Sequence, residues 1–281
     1  EQPALDAWST AAALAAVTDR IELMVAVRPN FHHPALFAKA AANIDRISNG
    51  RLALNVVSSW WADEARQYGL QFDQHDDRYA RTEEWLKVVD GLWTEERFSF
   101  DGQFYKTEDA ICSPKPAKRP TVYAGGESEK AKTMIAAQCD AYVMHGDPAE
   151  AIKPKIADMA ARREAAGGAP MQYGMAAYAI VRDSEAEAKR ELDRITTVSD
   201  LPAGYANFDQ WLSGTQLERE LKIQEYSVSN RGLRPNLIGT PEQLKERIAE
   251  YEAAGLDLLL LQMSPQAEEM ERFAVQVMGT A

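Results

Sequence analysis

Six short apolar runs, separated by longer stretches with helical periodicity, constrain the fold of this chain more than any other feature. The runs are rich in Val, Ile, Leu and Ala and lack regular polar alternation, as expected for parallel strands buried on both faces. Strand–helix repeats of this kind form a parallel sheet with right-handed crossovers, so the pattern predicts an α/β fold. The runs comprise residues 21–27, 52–57, 121–124, 141–144, 173–181 and 257–262.

Local signals mark where two of the intervening helices begin and end. Residues 34–47 carry apolar side chains at spacings of three and four, and Asn49-Gly50 follows as a C-cap signal. Thr240-Pro241-Glu242-Gln243 predicts a capping box with Pro at the first helical position, and its helix extends to Gly255. These signals strengthen the strand–helix interpretation.

The number of runs favours a (β/α)8 TIM barrel whose first two strands are missing from this chain. Such a barrel needs eight strands, and residues 1–19 have the spacing of a helix that leads into the first run. We therefore expect two strands, within roughly 40–70 residues, to precede this sequence. The whole chain, residues 1–281, is expected to form a single domain.

Two segments do not fit simple strand–helix units. Residues 98–120 contain Asp101-Gly102 between aromatic side chains, which predicts a β-hairpin. Residues 201–234 predict an insertion before the last unit. In barrel enzymes such an insertion usually forms a lid over the mouth of the active site.

Composition narrows the class of partner. The chain has 31 Lys and Arg against 43 Asp and Glu, a formal charge of −12, which disfavours nucleic acid and anionic membrane surfaces as partners. The two cysteines, Cys112 and Cys139, form no disulfide framework and have no metal-ligand spacing, so we expect a cytoplasmic protein without a metal site. No run of 18 apolar residues predicts a membrane span.

The first two candidate sites follow the first two runs, because ligands of barrel enzymes bind where strands end. His32 or His33 after the first run is interpreted as loop filling, as the lining of an apolar pocket, or as a proton donor. The second run delivers Asn55 and Ser58, and Trp60-Trp61 follow directly. The two indoles are interpreted either as core packing or as a wall for a flat ring system.

The other two candidate sites lie at helix starts. Asp76 or Asp77 in the segment 75–79 is expected to cap a helix, and Arg78 and Tyr79 in its first turn are placed to reach a phosphate. The turn 125–128, with two glycines and a serine before a helix, predicts an anion cradle of backbone amides and a hydroxyl.

Four segments of the chain together resemble the bacterial-luciferase-like flavin monooxygenases, in order and in spacing. They are Asn-Ile-Asp-Arg-Ile-Ser-Asn-Gly-Arg-Leu-Ala-Leu-Asn-Val-Val-Ser at 43–58, His-Asp-Asp-Arg-Tyr at 75–79, Ala-Gly-Gly-Glu-Ser at 124–128 and Leu-Ile-Gly-Thr-Pro-Glu at 237–242. The nearest branches are the dimethyl-sulfone, alkanesulfonate and pyrimidine monooxygenases. The family fold is a (β/α)8 barrel with an insertion before its last units.

The resemblance implies a two-component system. A separate NAD(P)H:flavin reductase would supply reduced FMN, and O2 would add to it to form a flavin peroxide that oxygenates a small organic substrate, with organosulfur compounds as the first candidates. Relatives of this kind are commonly homodimers or homotetramers.

The resemblance also implies roles for individual residues. The flavin would be held by Asn55, Ser58, Glu64, Arg78, Tyr79, Gly125, Gly126 and Ser128, with the last two on its phosphate. Catalytic roles near the reactive ring would fall to Asn55, Trp60 and His75. The substrate would contact His32, Trp61 and Arg231, the last within the lid segment, where surface solvation is the alternative interpretation.

Three other functions remain open. An F420-dependent oxidoreductase shares the barrel but transfers hydride without oxygen, and a non-catalytic flavin-binding protein would retain the same contacts without turnover. An unrelated barrel lyase or aldolase would need a lysine or a carboxylate–metal cluster at a strand end. None of the six runs ends in such a lysine.

Overall fold

The computed structural model describes residues 5–58, 62–73, 75–197 and 230–279, and for residues 75, 76, 230 and 231 it describes the backbone alone. These residues divide into two compact units. Unit 1 contains the described residues up to Tyr142 together with Ala166–Ala169, and unit 2 contains Val143–Ala165 and the described residues from Pro170 onward.

Unit 1 is built on a parallel sheet with helices between successive strands. Its strands pair in the order β1-β2-β5-β6, and Asn55 of β2 lies between Ala26 of β1 and Tyr123 of β5. The antiparallel hairpin β3-β4 forms a separate sheet. The elements are α1 (Ala7–Val17), β1 (Leu23–Val27), a 3-10 turn (Pro29–Phe31), α2 (Pro34–Ser48), β2 (Leu52–Val56), α3 (Ala62–Gln67), α4 (His75–Thr94), β3 (Phe98–Asp101), β4 (Lys106–Ala110), β5 (Thr121–Ala124), α5 (Glu129–Gln138) and β6 (Ala141–Met144), whose last two residues belong to unit 2.

Unit 2 is organised around one long strand. Residues 174–178 of β7 pair in parallel with β9, and residues 179–181 pair in parallel with β8. The elements are α6 (Ala149–Ala165), β7 (Gln172–Val181), α7 (Glu185–Thr196), a 3-10 turn (Asn230–Leu233), β8 (Leu237–Gly239), α8 (Pro241–Ala253), β9 (Leu258–Gln262), α9 (Gln266–Phe273) and a π-helical turn (Ala274–Met278).

The structure confirms the α/β class, the six strands and the hairpin. It also confirms both helix-end signals: Asn49 adopts a left-handed φ of 59° after α2, and Thr240 and Gln243 form a reciprocal capping box at α8. Strand β8 was not predicted, because a strand of three residues is too short to show a periodicity. Most of the predicted insertion, residues 201–229, lies outside the described residues.

Apolar side chains of the parallel strands form much of the core. Leu54, Ala53 and Val56 of β2 are almost entirely buried, as expected for a strand covered on both faces. Among the described helices, none has the length and apolarity needed to cross a membrane.

Candidate functional site

Two buried tryptophans attach the middle and the end of helix α4 to the segments before it. The indole N–H of Trp85 donates to the carbonyl of His32 (2.8 Å), and that of Trp93 donates to the carbonyl of Ala38 (2.9 Å). Both indoles are buried, so these bonds are shielded from water. The side chains of Arg78 and Tyr79 extend from the first turn of this helix.

The hydroxyl of Tyr79 lies beside the turn that follows β5. A Cβ atom added to Gly126 would lie 3.4 Å from the Tyr79 hydroxyl oxygen and only 2.6 Å from the Cβ atom of Ala131. The hydroxyl of Tyr142 donates to the Gly126 carbonyl (3.1 Å). Only glycine allows the turn to approach α5 and Tyr79 this closely.

Ser128 is the N-cap of α5. Its Oγ accepts the backbone N–H of Ala131 (3.3 Å), and Gly125 at the start of the turn is exposed. The cradle, defined as Tyr79, Gly125, Gly126 and Ser128, combines two hydroxyls, an unhindered backbone and a helix N-terminus. This donor set fits a phosphate group.

The Arg78 side chain is buried against Phe72. It is only 8% exposed, and its guanidinium lies 4.6 Å from the centre of the Phe72 ring. Burial lowers the pKa of Arg78, with Tyr79 and Asp73 acting in the opposite direction, and an arginine remains charged in such a setting. A role of Arg78 beside Tyr79 at a phosphate remains a prediction.

Arg78 lies beside Ser58 in a small strand-end cavity. The cavity measures about 10 Å³, enough for one water molecule, and is lined by Pro29, Asn30, Ser58, Asp73, Arg78, Arg81 and Thr82. The hydroxyls of Ser58 and Thr82 hydrogen-bond to each other (2.9 Å), and Thr82 donates to the Arg78 carbonyl (2.8 Å). The structure thus joins Ser58 and Arg78 into a second polar group.

Asn30 is a member of this group that the sequence analysis missed. Its side-chain oxygen is buried and has no hydrogen-bond partner among the described residues. A buried acceptor of this kind favours a donor from a ligand or an ordered water. The sequence signal that could have identified Asn30 is its position in the loop after β1. The functional role in this loop was assigned to the neighbouring histidines instead.

Glu64 forms an ion pair that the sequence did not predict. Both of its carboxylate oxygens accept hydrogen bonds from the Arg28 guanidinium, one of them at 3.0 Å. The same guanidinium lies 4.1 Å above the Phe31 ring. The ion pair with Glu64 and the stacking on Phe31 fix the orientation of the Arg28 guanidinium. Any contact of Glu64 with a ligand would therefore be made beside Arg28.

Asn55 and His32 have different settings. Asn55 is half-buried on β2, one residue before the strand ends. The His32 ring packs against Trp8 (6.4 Å between centroids) and Phe37 (5.8 Å). Burial lowers the pKa of His32, against an opposing effect of Asp6, which favours the neutral imidazole. This environment is that of a packed loop, and a substrate contact for His32 remains a prediction.

Four of the predicted residues cannot be placed in this geometry. Trp60 and Trp61 lie outside the described residues, and for His75 and Arg231 only the backbone is described. Within the described ranges, no three His, Cys, Asp or Glu side chains form a group that could hold a metal ion.

Sequence comparison identifies relatives across nearly the whole chain. The profile of the luciferase-like monooxygenase family matches residues 1–258. An FMNH2-dependent dimethylsulfone monooxygenase of Pseudomonas putida is 36% identical over 275 residues, which cover 95% of this chain and 76% of that protein.

Solved structures share the fold at lower identity. A riboflavin lyase crystallised with modified FMN and riboflavin has a TM-score of 0.85 at 20% identity, covering 99% of this chain and 74% of that one. A long-chain alkane monooxygenase has a TM-score of 0.83 at 19% identity, with the same coverage of 99% and 74%. Because a lyase and a monooxygenase share this fold, the fold alone does not select the reaction.

Proposed function

This chain belongs to the luciferase-like monooxygenase family, and from that premise we propose that it uses reduced FMN and O2 to oxygenate a small organic molecule. A separate NAD(P)H:flavin reductase would supply the reduced FMN. The relative of 36% identity is FMNH2-dependent by name, and its similarity extends over the cradle and the strand-end cavity.

The cradle of Tyr79, Gly125, Gly126 and Ser128 is the observation that carries this proposal. It presents two hydroxyl donors and a helix N-terminus around a glycine that no larger residue can replace. A dianionic phosphate at the end of a ribityl chain matches this donor set. The cradle would bind FMN through its phosphate and orient the rest of the cofactor.

The remaining residues would act near the flavin ring. Reduced FMN, when bound, supplies the electrons and the ring at which O2 is activated. Asn55 and Ser58, at the carboxyl end of β2, would hydrogen-bond to the flavin ring or to the site where O2 binds. Arg78, beside Ser58, would add a fixed positive charge. Glu64 would hold the flavin together with Arg28.

Exclusion of water would be the other contribution of the protein. Trp60 and Trp61 would wall the ring against solvent, as two large aromatic side chains directly after a strand can do. His75 is proposed near the reacting atoms, His32 and Arg231 near the substrate, and the lid segment 201–234 over all of them.

We also propose that the strands belong to a (β/α)8 barrel with two further strands preceding Leu23–Val27, within a single domain. The support is the high structural similarity to longer chains, of which this chain covers about three quarters. Assembly as a homodimer or homotetramer and a cytoplasmic location complete the proposal.

An organosulfur substrate is the first choice, because the relative acts on dimethylsulfone by name. The test mixes the protein, anaerobically loaded with reduced FMN, with buffer containing ¹⁸O2 and dimethyl sulfone or a panel of related sulfones and sulfonates. We expect ¹⁸O in an organic product, detected by mass spectrometry.

The proposal would be overturned if all the O2 were recovered as hydrogen peroxide at the rate of free reduced FMN. A parallel anaerobic assay with reduced F420 and a carbonyl substrate separates the hydride-transfer alternative, because that reaction needs no oxygen. Binding of FMN without any product would instead identify the non-catalytic flavoprotein.

A further inference from the structure

Thr82 of helix α4 lines the strand-end cavity, and its hydroxyl takes part in a chain of two hydrogen bonds. The residue is only 1% exposed. Its Oγ1 atom donates to the backbone carbonyl of Arg78 (2.8 Å) and lies 2.9 Å from the Oγ atom of Ser58. Because Ser58 follows β2, this chain joins the end of a strand to the helix that packs beside it.

The direction of the chain follows from the number of protons. A threonine hydroxyl carries one proton, and Thr82 uses it in the bond to the Arg78 carbonyl, which can only accept. The bond between the two hydroxyls must therefore be donated by Ser58. Since its own proton is committed to Thr82, the Ser58 hydroxyl offers only lone pairs to the cavity.

A second acceptor lies at the same cavity. The side-chain oxygen of Asn30 is buried and has no hydrogen-bond partner among the described residues. Two acceptors at a space of about 10 Å³ are complemented by a single N–H or O–H donor. Asn30 and Ser58 are half-buried, whereas Thr82 is buried, so the two acceptors lie on the more accessible side of the cavity.

Arg81 also lines the cavity, but its donors are directed elsewhere. Its Nε and Nη2 atoms donate to the carboxylate of Asp73 (2.6 and 3.1 Å), and its guanidinium lies 4.4 Å from the centre of the Phe104 ring. This ion pair balances one positive and one negative charge at the cavity wall. The Asn30 oxygen is left to accept a donor from a group that enters from outside.

We propose that Thr82 is a positioning residue, which holds Ser58 as a pure acceptor so that Ser58 and Asn30 select the reduced form of the flavin. This inference rests on the proposed function. Reduced flavin carries an N–H group at N5, where the oxidised ring has a lone pair. Two acceptors attract the first and repel the second, so they favour uptake of reduced FMN and release of the oxidised form.

The test measures the dissociation constants of reduced and oxidised FMN anaerobically, together with the midpoint potential of the bound flavin. We expect the unmodified protein to bind reduced FMN more tightly. Thr82→Val keeps the shape of the side chain but frees the Ser58 proton to turn into the cavity as a donor. The preference for reduced FMN should fall by about threefold to tenfold, which lowers the midpoint potential by about 15–30 mV for a two-electron couple.

Ser58→Ala removes one acceptor and should lower the preference by a similar factor. Thr82→Ser retains the hydroxyl and should restore both the preference and the potential of the unmodified protein. Thr94→Val is the matched control, because Thr94 makes the same intrahelical bond to the Asp90 carbonyl (2.8 Å) on α4 but does not line the cavity. Circular dichroism checks that all variants are folded.

The inference is wrong if both forms of FMN bind and the preference is unchanged in folded Thr82→Val and Ser58→Ala, which would leave the cavity to an ordered water. If neither form binds to the unmodified protein, the proposed function fails together with this inference. A preference that responds to Thr82→Val while no substrate is oxygenated would reject the proposed function alone.

Discussion

The starts of α5 and α9 have the same local design, a parallel strand followed by a turn and a helix, but their polar groups are satisfied differently. At α5 the Ser128 hydroxyl caps the helix and Gly126 packs against Ala131 and Tyr79. At α9 the cap position is Pro265, and Ser264 and Gln266 keep their polar groups unbonded within the described structure. The first site is organised before any ligand arrives, and the second borders a cavity of about 630 Å³.

This difference indicates how each of the two helix starts would gain binding energy from a ligand. A preorganised cradle loses little entropy on binding and tolerates little change in shape. A roomy cavity with loosely committed donors adapts to different molecules. Substitutions at the α5 start should therefore have large effects, and equivalent substitutions at the α9 start should have small effects on the fold.

The largest effect is expected for Gly126→Val. Its side chain would be forced against Ala131, and such overpacking lowers the free energy of unfolding by about 1–3 kcal/mol. Binding of reduced FMN, measured by anaerobic equilibrium dialysis, should weaken at least about tenfold, because the turn can no longer approach Tyr79. Gly174→Ala is the control, since its Cβ would meet its neighbours at an ordinary 3.5 Å. Equal losses in both variants would contradict the idea of a close-fitting cradle.

Ser128→Ala is expected to remove both a helix cap and a phosphate donor. The free energy of unfolding should fall by about 1 kcal/mol, and reduced FMN should bind about tenfold more weakly. Ser184 caps α7 through the same bond, from the Glu187 N–H at 3.3 Å. Ser184→Ala should therefore match the loss of stability in urea unfolding while leaving FMN affinity unchanged, and a parallel loss of affinity would exclude a direct role for Ser128.

Tyr79→Phe should have a smaller effect, confined to binding. The ring and its packing remain, and the loss of one donor should weaken reduced FMN binding by about threefold. Tyr68→Phe is a suitable control because Tyr68 is 71% exposed. An unchanged dissociation constant in Tyr79→Phe would remove this hydroxyl from the cradle.

Ser264→Ala tests the other half of the comparison and should have the smallest effect on stability. Its hydroxyl makes no hydrogen bond with a described residue, so the free energy of unfolding should change by no more than about 0.5 kcal/mol. The measurement is urea unfolding alongside Ser128→Ala. A loss as large as that of Ser128→Ala would mean that the two helix starts are equally organised.

The sequence predicts the cradle well because its signals are local. Two glycines and a serine before a helix imply a cap and an open backbone within four residues. The strands and the end of α2 are predictable for the same reason, since the residues that determine them are neighbours in the chain. Tyr79 is predicted from the helix start at residues 75–79, and the resemblance agrees with that prediction.

Contacts between distant residues are where sequence interpretation fails. Arg78 lines the strand-end cavity together with Asn30 and Ser58, which lie far from it in the sequence. The pairing of Glu64 with Arg28 joins helix α3 to the loop after β1. Tyr178 and Gln262 become neighbours only through the pairing of β7 with β9, and no pattern within either strand marks this pair.

The close approach of Gly126 to Ala131 has a consequence for how this position can vary among descendants of the gene. Every amino-acid change that one base substitution can make in a glycine codon introduces a Cβ atom. No missense step from Gly126 is therefore free of the clash, whereas a step to alanine at Gly174 is sterically permitted. In a saturation mutagenesis screen, position 126 should be depleted of all substitutions, with the smallest side chains removed last.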